Sequence, residues 1–344
     1  MRTVLAFILA FGLLSCNNSK VRKDQKFSVL KGKYDGYKYE IAYDDSADLK
    51  PAIHQLFSLY TKLLNADSNF SLLYAFNNGK TLNAEQEQLY LISLNILQKV
   101  DSLCLKTNKN TSGHFNSGMH KLLQVWGFTS GSIHPELVRD SQIDSLRQAA
   151  NVVPLKFDHG IPVKSSEGTT LNYQVVLKGL MADAIANMFD SVYHIKNYYV
   201  NLGGDIRAKG NNGNSSYWPI SIEKPMFNTL KSIEFCKLPL KNYSLATENS
   251  YKNFFFYKGK RFSQNINPLT GYPARNELLS ATILAKSAAE AKAYATACMT
   301  MGLEKSLAFI SQHPELKAFL IFEKDQQIQY WATSNLAVEL SKQE

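Results

Sequence analysis

Tyr199-Val200-Asn201-Leu202-Gly203-Gly204-Asp205-Ile206-Arg207-Ala208-Lys209-Gly210 is the stretch around which the rest of the chain can be read. A β-favouring run that begins at Tyr198 ends in two glycines, followed by an acid and a basic turn. Paired glycines at a strand end either turn the chain at positive φ or let a backbone approach a ligand closely. By turn chemistry alone the tight turn between two strands is the stronger reading. The sequence on either side brings in the second.

Upstream, positions 33–43 alternate aromatic and polar residues (Tyr37, Tyr39, Ile41, Tyr43) and read as a half-buried strand. Asp48-Leu49-Lys50-Pro51 opens a helix whose core stripe is Ile53, Leu56, Phe57, Tyr60, Leu63 and Leu64. Asn83 with Gln86 is a capping-box start for a second helix striped by Leu89, Ile92, Ile96, Leu97, Val100 and Leu103. The polar loop Ser112-Gly113-His114-Phe115-Asn116 interrupts the helical pattern, and a lone loop histidine of this kind is more often solvated than catalytic. Positions 140–150 read as a short amphipathic helix. Helical spacing through Met181, Ile185, Met188, Phe189 and Val192 leads into the double glycine.

Downstream, positions 217–223 read as an edge strand, because Pro219 lacks a ladder donor. Positions 251–261 read as a hairpin turned at Lys258-Gly259, and 264–273 as a loop rich in turn residues. A strand at 279–285 precedes an alanine-rich helix over 288–301, capped by Gly302. One more helix and a β-pair, 318–322 with 328–331, complete the chain. Strands and helices mix without βαβ alternation, and no GxGxxG or Walker loop occurs. The expected class is α+β, a single large domain.

With 344 residues, 45% hydrophobic and 19% charged, the chain has ample material for a core. The net charge of +9 is carried by scattered lysines with no long basic run, so no nucleic-acid partner is expected. Met1-Arg2 and the apolar positions 4–14 form a signal peptide too short to span a bilayer as a helix. It ends Leu13-Leu14-Ser15-Cys16, similar to a bacterial lipobox, which implies lipidation at Cys16 and a membrane anchor on the exported side of the cell envelope. Positions 1–15 are then the signal peptide, 16–32 the tether and 33–344 the domain. Cys104, Cys236 and Cys298 have no metal or disulfide spacing and read as small buried residues.

Several motifs succeed one another in a recognisable order. They are Ser112-Gly113-x-Phe115-Asn116, Trp126-Gly127-Phe128, Lys178-Gly179-x-x-x-Asp183, Asn201-x-Gly203-Gly204-Asp205-Ile206-Arg207-x-x-Gly210, Ile222-x-x-Pro225, Ala246-Thr247, Asn267-Pro268-x-Thr270-Gly271-Tyr272-Pro273 and Ala293-x-Ala295-Thr296-Ala297-x-x-x-x-Gly302. This order resembles the ApbE family of FAD:protein FMN transferases. The resemblance implies a T-fold-like domain with a mixed, mainly antiparallel sheet and packed helices. It implies transfer of FMN from FAD to a threonine of an acceptor protein, with AMP leaving. It also implies flavin-binding residues at His114, Phe115, Asn116, Asn172, Lys178, Ile266 and Thr270, with Gly203, Gly204 and Asp205 as the floor. A Mg2+ ion would be held by the Val175 carbonyl, the Thr296 hydroxyl and position 292.

Position 292 departs from the family pattern. The usual aspartate is Lys292, which shares a helix face with Thr296 but cannot ligate a metal while protonated. Glu290 lies on another face and is no substitute ligand. The usual histidine and aspartate of the proline loop are Gln264 and Asn267, the usual Thr-Ser-Gly is Thr247-Glu248-Asn249, and two further aspartates are Asn116 and Asn172. Three readings stand open: transfer with rearranged metal binding, transfer with the Lys292 ammonium set against the diphosphate in place of metal, or a flavin-binding lipoprotein (or an FAD pyrophosphatase) without transfer.

Overall fold

The computed structural model describes residues 27–129, 134–150, 152, 154–166, 168–226, 233–252, 254–257, 260–336 and 338–340. The signal peptide, Cys16 and the Lys258-Gly259 turn lie outside the described residues.

An Asp-Gly pair sets the first element. Strands β1 (Ser28–Tyr34) and β2 (Tyr37–Tyr43) form an antiparallel hairpin turned by Asp35 and Gly36, at φ 45° and 82°. Two central residues at positive φ are what a two-residue hairpin demands. Positions 33–43 are therefore the end of one strand, a turn and a second strand. The first strand begins at Ser28, so residues 28–32 belong to the sheet and not to the tether.

Helix α1 (Lys50–Leu64) starts where Asp48 accepts from the Lys50 amide and buries Ile53, Phe57, Leu63 and Leu64. A short helix that the periodicity did not reveal, α2 (Leu72–Asn78), is capped by Ser71 and stopped by Gly79. The long α3 (Ala84–Asn110) carries the expected reciprocal Asn83–Gln86 capping box. Then come α4 (His120–Val125), α5 (Asp140–Ala149), the small hairpin β3 (Lys156–Asp158) with β4 (Ile161–Val163), and α6 (Gln174–Ser191). Strands β5 (Tyr198–Leu202) and β6 (Asp205–Lys209) flank the double glycine; β7 (Trp218–Glu223), β8 (Glu234–Leu240) and β9 (Ser244–Asn249) come next. After β10 (Phe254–Tyr257), β11 (Lys260–Ser263) and β12 (Leu278–Ala285) come α7 (Ala288–Met301) and α8 (Leu303–Ser311). The described chain closes with β13 (Lys317–Lys324), β14 (Gln327–Ala332) and β15 (Glu339–Leu340).

Eight strands build the main sheet in the order β1-β2-β5-β6-β9-β12-β13-β14, and every pairing in it is antiparallel. Both faces are covered, which is why the central strand β12 is buried along its whole length. One face packs on helices: Tyr198, Val200 and Leu202 share a core with Met181, Ile185 and Phe189 of α6, and Ala246 and Ile283 share another with Ala291 and Ala295 of α7. The opposite face, with Ile206, Ala208, Leu245, Leu284 and Phe319, packs on the smaller sheet β15-β8-β7 through Ile220, Ile222, Leu238 and Leu240. Strand β7 lies at the edge of that smaller sheet, where Pro219 is tolerated. Cys104, Cys236 and Cys298 are buried and free.

Candidate active site

The double glycine is a tight hairpin turn: Gly203 and Gly204 stand at φ 59° and 95° between the paired Leu202 and Asp205. Neither glycine lines the cleft described below; the turn bears on it through the Gly203 carbonyl, which accepts from Lys178 Nζ at 3.2 Å. The tight-turn reading describes the stretch; the floor expected at Gly203, Gly204 and Asp205 does not line the cleft.

Alternation in β6 sorts its side chains between the two faces of the sheet. Ile206 and Ala208 face the smaller sheet, so Asp205 and Arg207 face the helices. Asp205 pairs with Ala246 of β9, and two residues along the same face lies Glu248. Thr247 points the other way and meets Thr282 hydroxyl to hydroxyl at 2.8 Å. Two carboxylates are thereby aimed at α7.

The other half of the site comes from the crossing of α6 and α7. A Cβ on Gly179 would come within 2.6 Å of the Ala289 nitrogen, so only glycine allows the two helices to touch there. One turn on, the Asp183 carboxylate accepts from the first amides of α7, Ala288 at 2.8 Å and Ala289 at 3.0 Å. Burial raises the Asp183 pKa to about 6 against the pull of these two amides. The Lys-Gly-x-x-x-Asp motif is thus a docking device that brings Lys178 of α6 opposite Lys292 and Thr296 of α7.

Together these residues line a cleft of about 370 Å³. Its polar lining includes Lys178, Lys292, Thr296, Glu248, Gln264, Asn116, Asn172, Asp67 and His114; its apolar lining includes Phe115, Met119, Leu123, Phe128 and Ile266. Asn116 and Asn172 are also spent on local backbone: Asn116 donates to the Ala150 carbonyl and accepts from the Gly118 amide, and Asn172 accepts from the Gln174 amide at the start of α6. Trp126 donates to the Gly271 carbonyl at 2.9 Å and packs on Tyr272, fixing the proline loop over the cleft.

Asn267 organises that loop, its side chain accepting from Leu269 and its carbonyl from Gly271. Thr270 is exposed within the same turn and does not line the cleft. Nor does Asp205, which is 1% exposed and lies beneath the floor.

His114 is 6% exposed, not a solvated loop residue. Its Nδ1 lies 3.3 Å from the Thr300 hydroxyl, whose single proton has the His114 and Ala297 carbonyls as acceptors. We therefore assign the imidazole proton to Nδ1, leaving Nε2 as the lone-pair nitrogen. Burial, and then Lys305, push the imidazole below its ordinary value, so it is neutral near pH 7.

The centre of the charge pattern is Lys292, 8% exposed, whose ammonium is paired with Glu248. Burial alone would lower its pKa, but Glu248 and Asp205 outweigh that and hold it above the ordinary lysine value. Burial raises the Asp205 pKa, with Lys178 and Lys292 pulling it back. Neither Asp205 oxygen has a well-formed hydrogen bond among the described residues; Lys178, Lys292 and, more weakly, the Gly179 amide offset its burial.

This donor set does not fit a Mg2+ ion, which needs several oxygen ligands in a near-octahedral array. Position 292 offers an ammonium and Glu248 is engaged by it, which leaves of the expected set only two neutral oxygens, the Val175 carbonyl and the Thr296 hydroxyl. Among the described residues no group of three or more His, Cys, Asp or Glu could hold a metal. Glu290 is turned away, paired with Lys106 at 3.1 Å. The Glu248–Lys292 pair escaped the sequence reading; the one signal was that both positions change charge relative to the family pattern.

Comparison with known proteins finds relatives of one name. FAD:protein FMN transferase of Haemophilus influenzae is 27% identical over 94% of this chain and 92% of its own length. The protein of that name from Vibrio cholerae is 28% identical over 91% and 92%. Among solved structures, the flavin transferase ApbE of Vibrio cholerae superposes with a TM-score of 0.75 at 25% identity, over 90% of this chain and 97% of that one. The apo flavinyl transferase ApbE of Pseudomonas stutzeri, at 21% identity and the same TM-score of 0.75 over 90% and 95%, shares the fold. The ApbE family profile matches residues 36–320, and the chain belongs to the ApbE family.

Proposed function

We infer that the protein transfers FMN from FAD to a threonine hydroxyl of an acceptor protein and releases AMP. The observation that carries this reading is the cleft itself, whose lining combines two ammonium groups, Lys178 and Lys292, with the apolar side chains Phe115, Phe128 and Ile266. Family membership supports it, since the relatives carry the name of this reaction. In the reaction the acceptor oxygen attacks the phosphorus of the FMN half, the bond to the bridging oxygen breaks, and AMP departs with the electron pair. Negative charge builds on the leaving phosphate, so catalysis rests on positioning and on cationic neutralisation. Lys178 and Lys292 supply the positive charge. The apolar side chains suit an isoalloxazine ring, and His114, neutral near pH 7, is a proton acceptor among the lining residues.

The test is to incubate the protein with FAD and a threonine-bearing acceptor, following AMP by HPLC and flavin fluorescence on the acceptor in a denaturing gel. AMP release matched by flavin on the acceptor is the expected outcome. Free FMN with AMP would indicate a pyrophosphatase. Intact FAD, retained but not cleaved, is the outcome of a second reading favoured by Gln264 and Lys292, a flavin-binding protein without turnover.

The Leu-Leu-Ser-Cys sequence supports anchoring through a lipidated Cys16 in the bacterial cell envelope. Among the described residues no helix is long and apolar enough to cross a membrane. Incorporation of labelled palmitate, lost in Cys16→Ser, is the expected sign of the anchor.

A further inference from the structure

An ammonium group carries three N–H donors. Lys292 is 8% exposed and its ammonium gives one hydrogen bond, to Glu248; no other acceptor for it is seen among the described residues. The Thr296 hydroxyl, one turn away, binds the Lys292 carbonyl and not its Nζ. A buried ammonium at the wall of a cleft thus has donors to spare, which buried polar groups rarely keep unless solvent or a ligand takes them. Its position is set by the sheet: Glu248 and Asp205 both project toward α7 because Asp205 pairs with Ala246. Lys178 adds a second ammonium from the opposite helix, held by the Gly203 carbonyl at 3.2 Å.

We propose that Lys292, held in place by Glu248, is the resident cation of this cleft, and that the protein binds the diphosphate of FAD without a divalent metal. This rests on the reading of the cleft as an FAD site. Glu248 serves as a positioning residue: it orients the ammonium and keeps it charged, while the remaining N–H groups meet phosphate oxygens. A divalent ion bound through Glu248 would stand against the ammonium and would have to displace it. Lysine is a compact point charge with several donors, and the N–H groups that Glu248 leaves free are what a phosphate oxygen would take. The Gly203-Gly204 turn brings backbone close enough for Lys178 to be braced without blocking the cleft.

The experiment is FAD binding to the full chain, followed by quenching of flavin fluorescence, in EDTA and in millimolar Mg2+. A thermal melt with Mg2+ alone accompanies it. The expected result is an FAD Kd that differs by less than about twofold between the two conditions, and no shift of the melt by Mg2+. Lys292→Asp, which exchanges the ammonium for a third carboxylate, is expected to bind FAD at least about tenfold more weakly in EDTA, to recover with Mg2+, and to melt higher with Mg2+ alone. Release of FAD from the wild-type protein by EDTA would overturn the proposal and leave the FAD site standing. So would Lys292→Asp binding in EDTA as tightly as the wild type. Absence of FAD binding under every condition would overturn both the proposal and the FAD site. Should Lys292→Asp fail to fold, the wild-type comparison decides alone.

Discussion

The two faces of the eight-stranded sheet do opposite things with the same strands. Toward the smaller sheet, β6 and β9 present Ile206, Ala208 and Leu245, a dry layer closed by Leu238 and Leu240. Toward the helices, the same strands present Asp205 and Glu248, which meet Lys178 and Lys292. The dry face gains from area removed from water and is tolerant of what neighbours it, provided the volume is filled. The charged face gains little net stability from its ion pair, because desolvation offsets attraction, yet it cannot lose one partner cheaply. On β6 and β9 the charges of the site are confined to the helix-facing side, which elsewhere along the sheet carries apolar cores of its own.

Removing one partner on the charged face is the strongest way to break this contrast. Lys292→Ala leaves Glu248 and Asp205 facing each other without the ammonium, and a loss of about 3–5 kcal/mol is expected in urea unfolding. The double variant Lys292→Met with Glu248→Leu is expected to recover much of that loss, since the pair contributes little once both members are gone. Leu238→Ala, on the dry face, is expected to lose about 2–5 kcal/mol by leaving a cavity while FAD affinity stays within about twofold of the wild type. If Leu238→Ala abolished FAD binding, the division between the layers would be wrong.

A sharper test sits at the helix crossing. Gly179→Ala places a methyl 2.6 Å from the Ala289 nitrogen, against backbone that cannot yield without spreading α6 from α7. Overpacking of this kind costs about 1–3 kcal/mol. FAD affinity is expected to fall with it, because Lys178 and Lys292 ride on the two helices.

The smallest effect concerns pH. His120 is 2% exposed; burial pushes its imidazole below the ordinary value of 6.5, with Asp67 acting in the opposite direction and Lys121 adding to the fall. On acidification the unfolded chain takes up a proton at the ordinary value while the folded protein does not, so the folded state loses stability as pH falls through 6.5. Measured against His120→Gln, the wild type is expected to lose stability between about pH 7.5 and about pH 5.5. A parallel pH dependence in the two proteins would show that His120 is not held neutral.

Much of the architecture was legible locally. The Asn83–Gln86 box opens α3, Gly302 at φ 79° closes α7, and the alternation through the double glycine marks β5 and β6. The Asp35-Gly36 turn signal was present too, though the aromatic alternation on both sides masked it. Strands β8 and β9 were harder, because Glu-Phe-Cys-Lys-Leu-Pro-Leu contains a proline and Ser-Leu-Ala-Thr-Glu-Asn is small and polar. Of the site, His114, Phe115, Asn116, Asn172, Lys178 and Ile266 gather in one cleft, while Gly203, Gly204, Asp205 and Thr270 do not line it. The clearest omission was the partnership of Glu248 with Lys292.

By itself the sequence determined what depends on near neighbours: the caps, the turns at positive φ, the α+β class, and the family pattern with its altered residue at 292. Only the tertiary structure decided what that alteration means. Glu248 and Lys292 are 44 residues apart, and they meet because antiparallel register puts Glu248 on the helix-facing side while Gly179 lets α7 close onto α6. Whether a lysine is a solvated surface charge or the buried cation of a cleft depends on what surrounds it. For Lys292 those surroundings come from three separate parts of the chain.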